Sequence, residues 1–159
     1  MLQAFIDESV DDSVLSMGGY VSTYEKWEAF EKEWQSALQR QPRIEYFKFS
    51  DCFKINGEYR KDGQFRGISE DDALEKVADL YKIIGDHALA YVSCAVDPSL
   101  YRKMFRRFPK PISSPYYHCL LKILTWLPKA LLDSGLEGSV NFVFDRQVME
   151  EKSILDAWY

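Results

Sequence analysis

Leu2-Gln3-Ala4-Phe5-Ile6-Asp7, then Glu8-Ser9, then Val14-Leu15-Ser16-Met17-Gly18-Gly19-Tyr20-Val21, is the stretch from which the fold is read. Leu2, Ala4 and Ile6 fall on one face of an extended chain, so residues 2–7 are expected to form a strand that stops at the polar cluster Asp7, Glu8, Ser9. Asp11-Asp12-Ser13 supplies turn chemistry, and residues 14–21 are expected to return as a second strand. Strand, short polar turn and strand make an antiparallel hairpin, with Gly18-Gly19 marking a bulge or a close backbone approach. Asp7 is placed beside its turn.

Outward from the hairpin, Ser22 and Glu25 have capping-box spacing, and Trp27, Phe30, Trp34, Ala37 and Leu38 recur at helical intervals up to Pro42. That helix, with its aromatic inner face, is core. Residues 46–49 read as a short strand, and residues 54–68, with Asn56-Gly57 and Asp62-Gly63, as a mobile loop. Ser69 and Asp72 open a helix through Leu74, Val77, Tyr81 and Ile84, which Gly85 is placed to close. Residues 88–96 form an almost continuous apolar run, expected as a strand covered on both faces. Asp97-Pro98 starts a helix to about Phe108, and Ser114-Pro115 starts a helix that is apolar nearly all round, expected to be buried, and that Pro128 should kink or restart. Residues 139–145 alternate Val140, Phe142 and Phe144 against Asn141 and Val143, a final strand that again ends in an aspartate. Strands separated by helices after an initial hairpin predict an α/β domain, a mixed sheet with helices packed on it, and 159 residues suit one such domain over residues 1–159.

Composition narrows the function classes. Hydrophobic residues make up 47% and aromatic ones 15%, ample for a packed core, and no apolar run approaches the length of a bilayer span. The net charge of −5 argues against coating nucleic acid by bulk charge. Charge is nonetheless polarised: residues 1–80 carry 10 basic and 17 acidic side chains, residues 81–159 carry 10 and 8. Cys52, Cys94 and Cys119 are scattered and only His87 and His118 accompany them, a poor set for structural zinc. No secretory signal opens the sequence, so a cytoplasmic location is expected.

Asp7 and Asp145 are the sharpest chemical feature. If their strands are parallel neighbours, both carboxylates emerge at one end of the sheet, about 4.8 Å apart from strand to strand. That spacing suits divalent ions, and hard oxygen donors favour magnesium or manganese, which activate water and stabilise the leaving oxygen of a phosphodiester. A turn or capping role accounts for one strand-ending aspartate; two such strands weaken that account. Glu150 and Glu151 follow within two helical turns and supply a further ligand, for which Glu150 is taken, if the last helix folds back; otherwise they are an acid-rich helix start. Asp97 is read first as a helix cap and second as a member of the acidic cluster.

Phe5-Ile6-Asp7-Glu8-Ser9, Gly18-Gly19-Tyr20-Val21, the helix with Trp27, Tyr46-Phe47-Lys48-Phe49-Ser50 and Phe142-Val143-Phe144-Asp145 together resemble an uncharacterised bacterial and phage domain family grouped with the ribonuclease-H-like nucleases. The resemblance implies a ribonuclease-H-like mixed sheet with metal-binding Asp7 and Asp145, and a supporting catalytic role for Glu8. It also implies a ligand-orienting or turn role for Ser9 and a phosphate contact for Lys48. That family continues to a helix with a Gln-x-Ala-Asp-like motif. This sequence stops at Tyr159 without it, which leaves three readings: a truncated chain, an acid of the last helix in its place, or a protein that is no longer a nuclease.

The segment from Tyr101 to Lys110 holds five cations, and on a helix Tyr101, Met104, Phe105 and Phe108 would face inward with Arg102, Lys103, Arg106 and Arg107 outward, suited to substrate phosphates or to an ordinary charged face. His118 reads as an interior residue. The expected function is a magnesium- or manganese-dependent nuclease acting on DNA or RNA, with no membrane partner. The alternative is a catalytically silent binding or assembly subunit that joins a protein partner or a second copy through Ala157-Trp158-Tyr159.

Overall fold

A computed structural model describes residues 1–10, 13–54, 56–109 and 112–144. The chain is α/β: four described strands form one mixed sheet in the order β3-β2-β1-β4, with helices packed on it. β1 (Leu2–Val10) and β2 (Leu15–Thr23) pair antiparallel, β2 pairs antiparallel with β3 (Ala90–Val96), and β1 pairs parallel with β4 (Val140–Phe144). The hairpin is therefore as the alternation predicts, and the parallel pairing of β1 with β4 meets the condition set for Asp7 and Asp145.

Two compact units divide the chain. The first comprises Met1–Tyr24 with the described part of Leu89–Tyr159; the second is Glu25–Ala88, inserted between β2 and β3. In the first unit Leu2, Ala4 and Ile6 of β1 and Leu15, Met17 and Val21 of β2 pack with one face of α5 (Pro115–Asp133), which contributes Cys119, Leu120, Ile123, Leu127 and Leu131. Ser114 caps that helix by accepting from the Tyr117 N–H, and Pro115 follows at its first position, where a missing N–H costs nothing. The helix runs on through Pro128 rather than ending there. It is also not buried all round: Trp126 and Leu132 stand exposed.

The second unit has its own core, built from α1 (Tyr24–Gln39), the short α2 (Phe49–Cys52), a 3-10 turn at Gly63–Phe65 and α3 (Glu70–His87). Trp27, Phe30, Trp34, Phe47 and Phe65 form a continuous chain of ring contacts. Lys76 is buried, and its ammonium donates to the Ala37 and Arg40 carbonyls, satisfying acceptors at the end of α1.

Several local expectations need correction. Residues 46–49 are not a strand; Phe49 opens α2. The stretch 54–68 holds more order than a loop reading implies, because Phe65 is fully buried and the Tyr59 hydroxyl donates to the Ile68 carbonyl. Ser22 does not begin α1 but lies inside β2. α3 passes Gly85 and ends at His87, with Ala73, Lys76, Val77, Leu80 and Ile83 buried while Leu74 and Tyr81 are exposed. Among the described strands β3 lies at an edge of the sheet, and it has one exposed face rather than being covered on both sides: its burial alternates along its length.

Candidate functional site

β1 does not stop at Asp7. It continues three residues to Val10, because Glu8, Ser9 and Val10 keep pairing with Met17, Ser16 and Leu15. Asp7 is thus an interior strand residue, on the face opposite the one that Leu2, Ala4 and Ile6 bury. Its carboxylate is exposed, and Oδ1 accepts from the Glu8 backbone N–H at 2.9 Å. The residue paired with Asp7 on β2 is Gly18, whose own partner on β3 is Ser93. No side chain therefore rises beside the carboxylate from the neighbouring strand. A Cβ at Gly18 would come within 2.9 Å of the Val92 carbonyl oxygen, so the gap is enforced by the backbone.

The strands on this face carry more than Asp7. Tyr20 pairs with Phe5 on one side and with Tyr91 on the other, and Phe5 pairs with Val143 of β4. This cross-strand row lies two residues along from the Asp7, Gly18, Ser93 row, about 7 Å away. Tyr91 is 76% exposed. The apolar run 88–96 concealed it, since Tyr91, Ser93 and Ala95 alternate with Ala90, Val92, Cys94 and Val96 and only the second set meets the core.

β1, β3 and β4 all run in one direction, so their C-terminal ends share one end of the sheet. The β1–β4 register is described as far as Ile6 opposite Phe144. Asp145, Glu150 and Glu151 lie outside the described residues, as do Lys110 and Ala157-Trp158-Tyr159. Glu8 alternates to the face opposite Asp7 and is half-buried. Ser9 is exposed on the face of Asp7, and its carbonyl accepts from the Ser16 hydroxyl. Lys48 is exposed in the second unit at the residue preceding α2. Among the described residues no group of three or more His, Cys, Asp or Glu side chains is arranged to hold a metal ion.

At the same end of the sheet, β3 leads through Asp97 into α4 (Pro98–Phe105). Asp97 Oδ1 accepts from the Ser99 and Leu100 amides at 2.8 and 2.9 Å, and from the Ser99 hydroxyl. These bonds, that from Leu100 foremost, hold its carboxyl below the usual carboxylate range. Asp97 is a helix cap, engaged by its own helix. α4 is shorter than expected and its inward stripe narrower: Tyr101 is buried and Phe105 half-buried, but Met104 and Phe108 are exposed. Arg102, Lys103, Arg106 and Arg107 are exposed as expected.

Cys52, Cys119 and His118 are poorly placed for chemistry. Burial pushes the Cys52 thiol up to about 11. Burial, reinforced by a hydrogen bond with Cys94, pushes Cys119 up to about 12, so at neutral pH neither provides a thiolate. The Cys94–Cys119 contact joins β3 to α5, and their sequence separation gives no hint of it. His118 packs against Tyr101 with ring centroids 5.1 Å apart, and burial, with Lys122 nearby, lowers its pKa. It is half-buried at the α4–α5 contact. No protein-family model, curated protein or solved structure matches this chain. No helix among the described residues is long and apolar enough to cross a membrane.

Proposed function

We propose that the chain is a divalent-metal-dependent phosphodiesterase of ribonuclease-H-like architecture that cleaves nucleic acid. The observation that carries this reading is the parallel pairing of β1 with β4, in register to Ile6 and Phe144; the next residue of each in sequence is an aspartate, Asp7 and Asp145. The donor chemistry fits a hard cation. Asp7 offers an exposed carboxylate, oriented through Oδ1 by the Glu8 amide and flanked by a position without a side chain. In this reading Asp7 and Asp145 hold magnesium or manganese, with Glu150 as a further ligand. When bound, the ion lowers the pKa of water and stabilises charge on the phosphodiester oxygens. Glu8 acts through its backbone amide, which fixes the Asp7 carboxylate. Ser9, on the same face, is assigned to a substrate contact, and Arg102, Lys103, Arg106 and Arg107 to phosphates, the last four leading away from the same end of the sheet.

The test is cleavage of labelled DNA and RNA by the full chain in magnesium or manganese, with Asp7→Asn beside it. Cleavage by the wild type and a loss of at least about 100-fold in Asp7→Asn, with the melting temperature unchanged, is the expected result. No cleavage of either polymer by the wild type refutes the reading. A second reading, a catalytically silent assembly module, draws on the exposed face of β3 and its place at the edge of the sheet among the described strands. It predicts a concentration-dependent oligomer that Tyr91→Lys disperses.

A further inference from the structure

The exposed side of α4 mixes two chemistries that a plain charged helix face keeps apart. Leu100, Lys103 and Met104 stand at i, i+3 and i+4 of one face, with Arg107 a further turn along in the segment that leaves the helix. Leu100, Met104 and Phe108 are 53%, 65% and 51% exposed. Among the described residues none of Arg102, Lys103, Arg106 or Arg107 forms an ion pair. The acid nearest in sequence, Asp97, is already occupied by the Ser99 and Leu100 amides. Four exposed cations without an ion pair among the described residues, in a chain of net charge −5, suit an anionic partner.

Charge alone does not choose among anions; the apolar side chains do. A duplex turns its phosphates outward and hides the faces of its bases, so it would satisfy the cations and leave Leu100, Met104 and Phe108 in water. A single strand presents phosphates and unstacked base faces side by side, matching cations interleaved with a phenyl ring and a thioether. We propose that α4 and the turn after it bind single-stranded nucleic acid, with the cations on phosphates and Met104 and Phe108 against unpaired bases. This inference rests on nucleic acid being the substrate and narrows it to unpaired strands. α4 starts at the end of the sheet to which β1 also runs, so a strand held there has a path toward Asp7.

The experiment is fluorescence anisotropy with the full chain in EDTA, where cleavage cannot interfere, using a labelled oligonucleotide of about 16 nucleotides as a single strand and as a duplex. The single strand should bind at least about ten-fold more tightly, and Met104→Ser with Phe108→Ser should remove about ten-fold of that affinity while leaving duplex binding unchanged. Lys103→Gln with Arg107→Gln should weaken both and lower the single-strand salt slope by about 0.7 for each phosphate no longer neutralised. All four side chains are exposed, so an unchanged melting curve certifies each variant. Equal affinity for strand and duplex, a serine variant that binds like the wild type, or binding only to phosphatidylserine-containing vesicles overturns the proposal. Tight single-strand binding with no cleavage in magnesium or manganese upholds it and removes the phosphodiesterase reading; cleavage with a preference for duplex removes this proposal alone.

Discussion

A methyl group on Gly19 would collide with the Phe5 carbonyl oxygen, so admitting it requires the backbone to move. Gly19 pairs with Ile6 one position from the pairing of Gly18 with Asp7, so the strand contact that presents Asp7 depends on a missing side chain. Gly19→Ala should cost at least about 1–3 kcal/mol, read as a lower denaturation midpoint, because backbone rather than a flexible side chain must move. Gly18→Ala, with its nearest contact at 2.9 Å, should cost less. Wild-type stability in both variants would mean that the strands can separate locally. Asp7 differs in kind: its side chain is exposed, so Asp7→Asn should alter stability by no more than about 0.5 kcal/mol, and a loss of activity there is chemical rather than structural. The Gly-Gly pair is legible in the sequence as a close approach. That β1 runs on through Asp7 is not, since Glu8 and Ser9 carry turn chemistry and only their pairing with Met17 and Ser16 keeps them extended.

Among the elements, α4 is where local sequence and tertiary context diverge most. Its start is written plainly, in an aspartate followed by proline, and Asp97 does accept two amide hydrogen bonds there. Its carboxyl is held below the ordinary value, so the stabilisation is complete above the unfolded carboxylate pKa and disappears as pH falls through the lower folded value. Asp97→Ala should therefore melt below the wild type at neutral pH, and the gap should close on acidification. A gap that persists unchanged to pH values well below the carboxylate range would show that the cap does not act through its charge. The faces of α4 are less legible. Periodicity assigns Met104 and Phe108 to the inner stripe, but Tyr101 is its buried member, against His118 of α5, with Phe105 half-buried and stacked on the Tyr101 ring, while Met104 and Phe108 are exposed. A hydrophobic stripe records which face is apolar, not how much partner surface exists to cover it.

Across the whole molecule, the apolar residues sort into two separate cores, one around α5 and the sheet, the other around Phe65 and the helices of residues 25–88. Ile123→Ala should cost about 2–5 kcal/mol and raise amide exchange first in β1, β2 and β3; Phe65→Ala should cost about 3–5 kcal/mol and raise it first in α1 and α3. Identical exchange patterns in the two variants would show one cooperative core instead. Length and composition count apolar residues without saying which of them meet, so the sorting into two cores is not legible in the sequence. The sequence by itself determined the hairpin, the capped helix starts at Ser69, Asp97 and Ser114, and the alternation of Val140, Phe142 and Phe144, because each follows from interactions within a few residues. Only tertiary structure decided the parallel seating of β4 beside β1, the exposed tyrosine edge on β3 and the bare apolar flank of α4. These depend on which surfaces distant segments bring together, and a side chain's own periodicity carries no record of the partner that will or will not cover it.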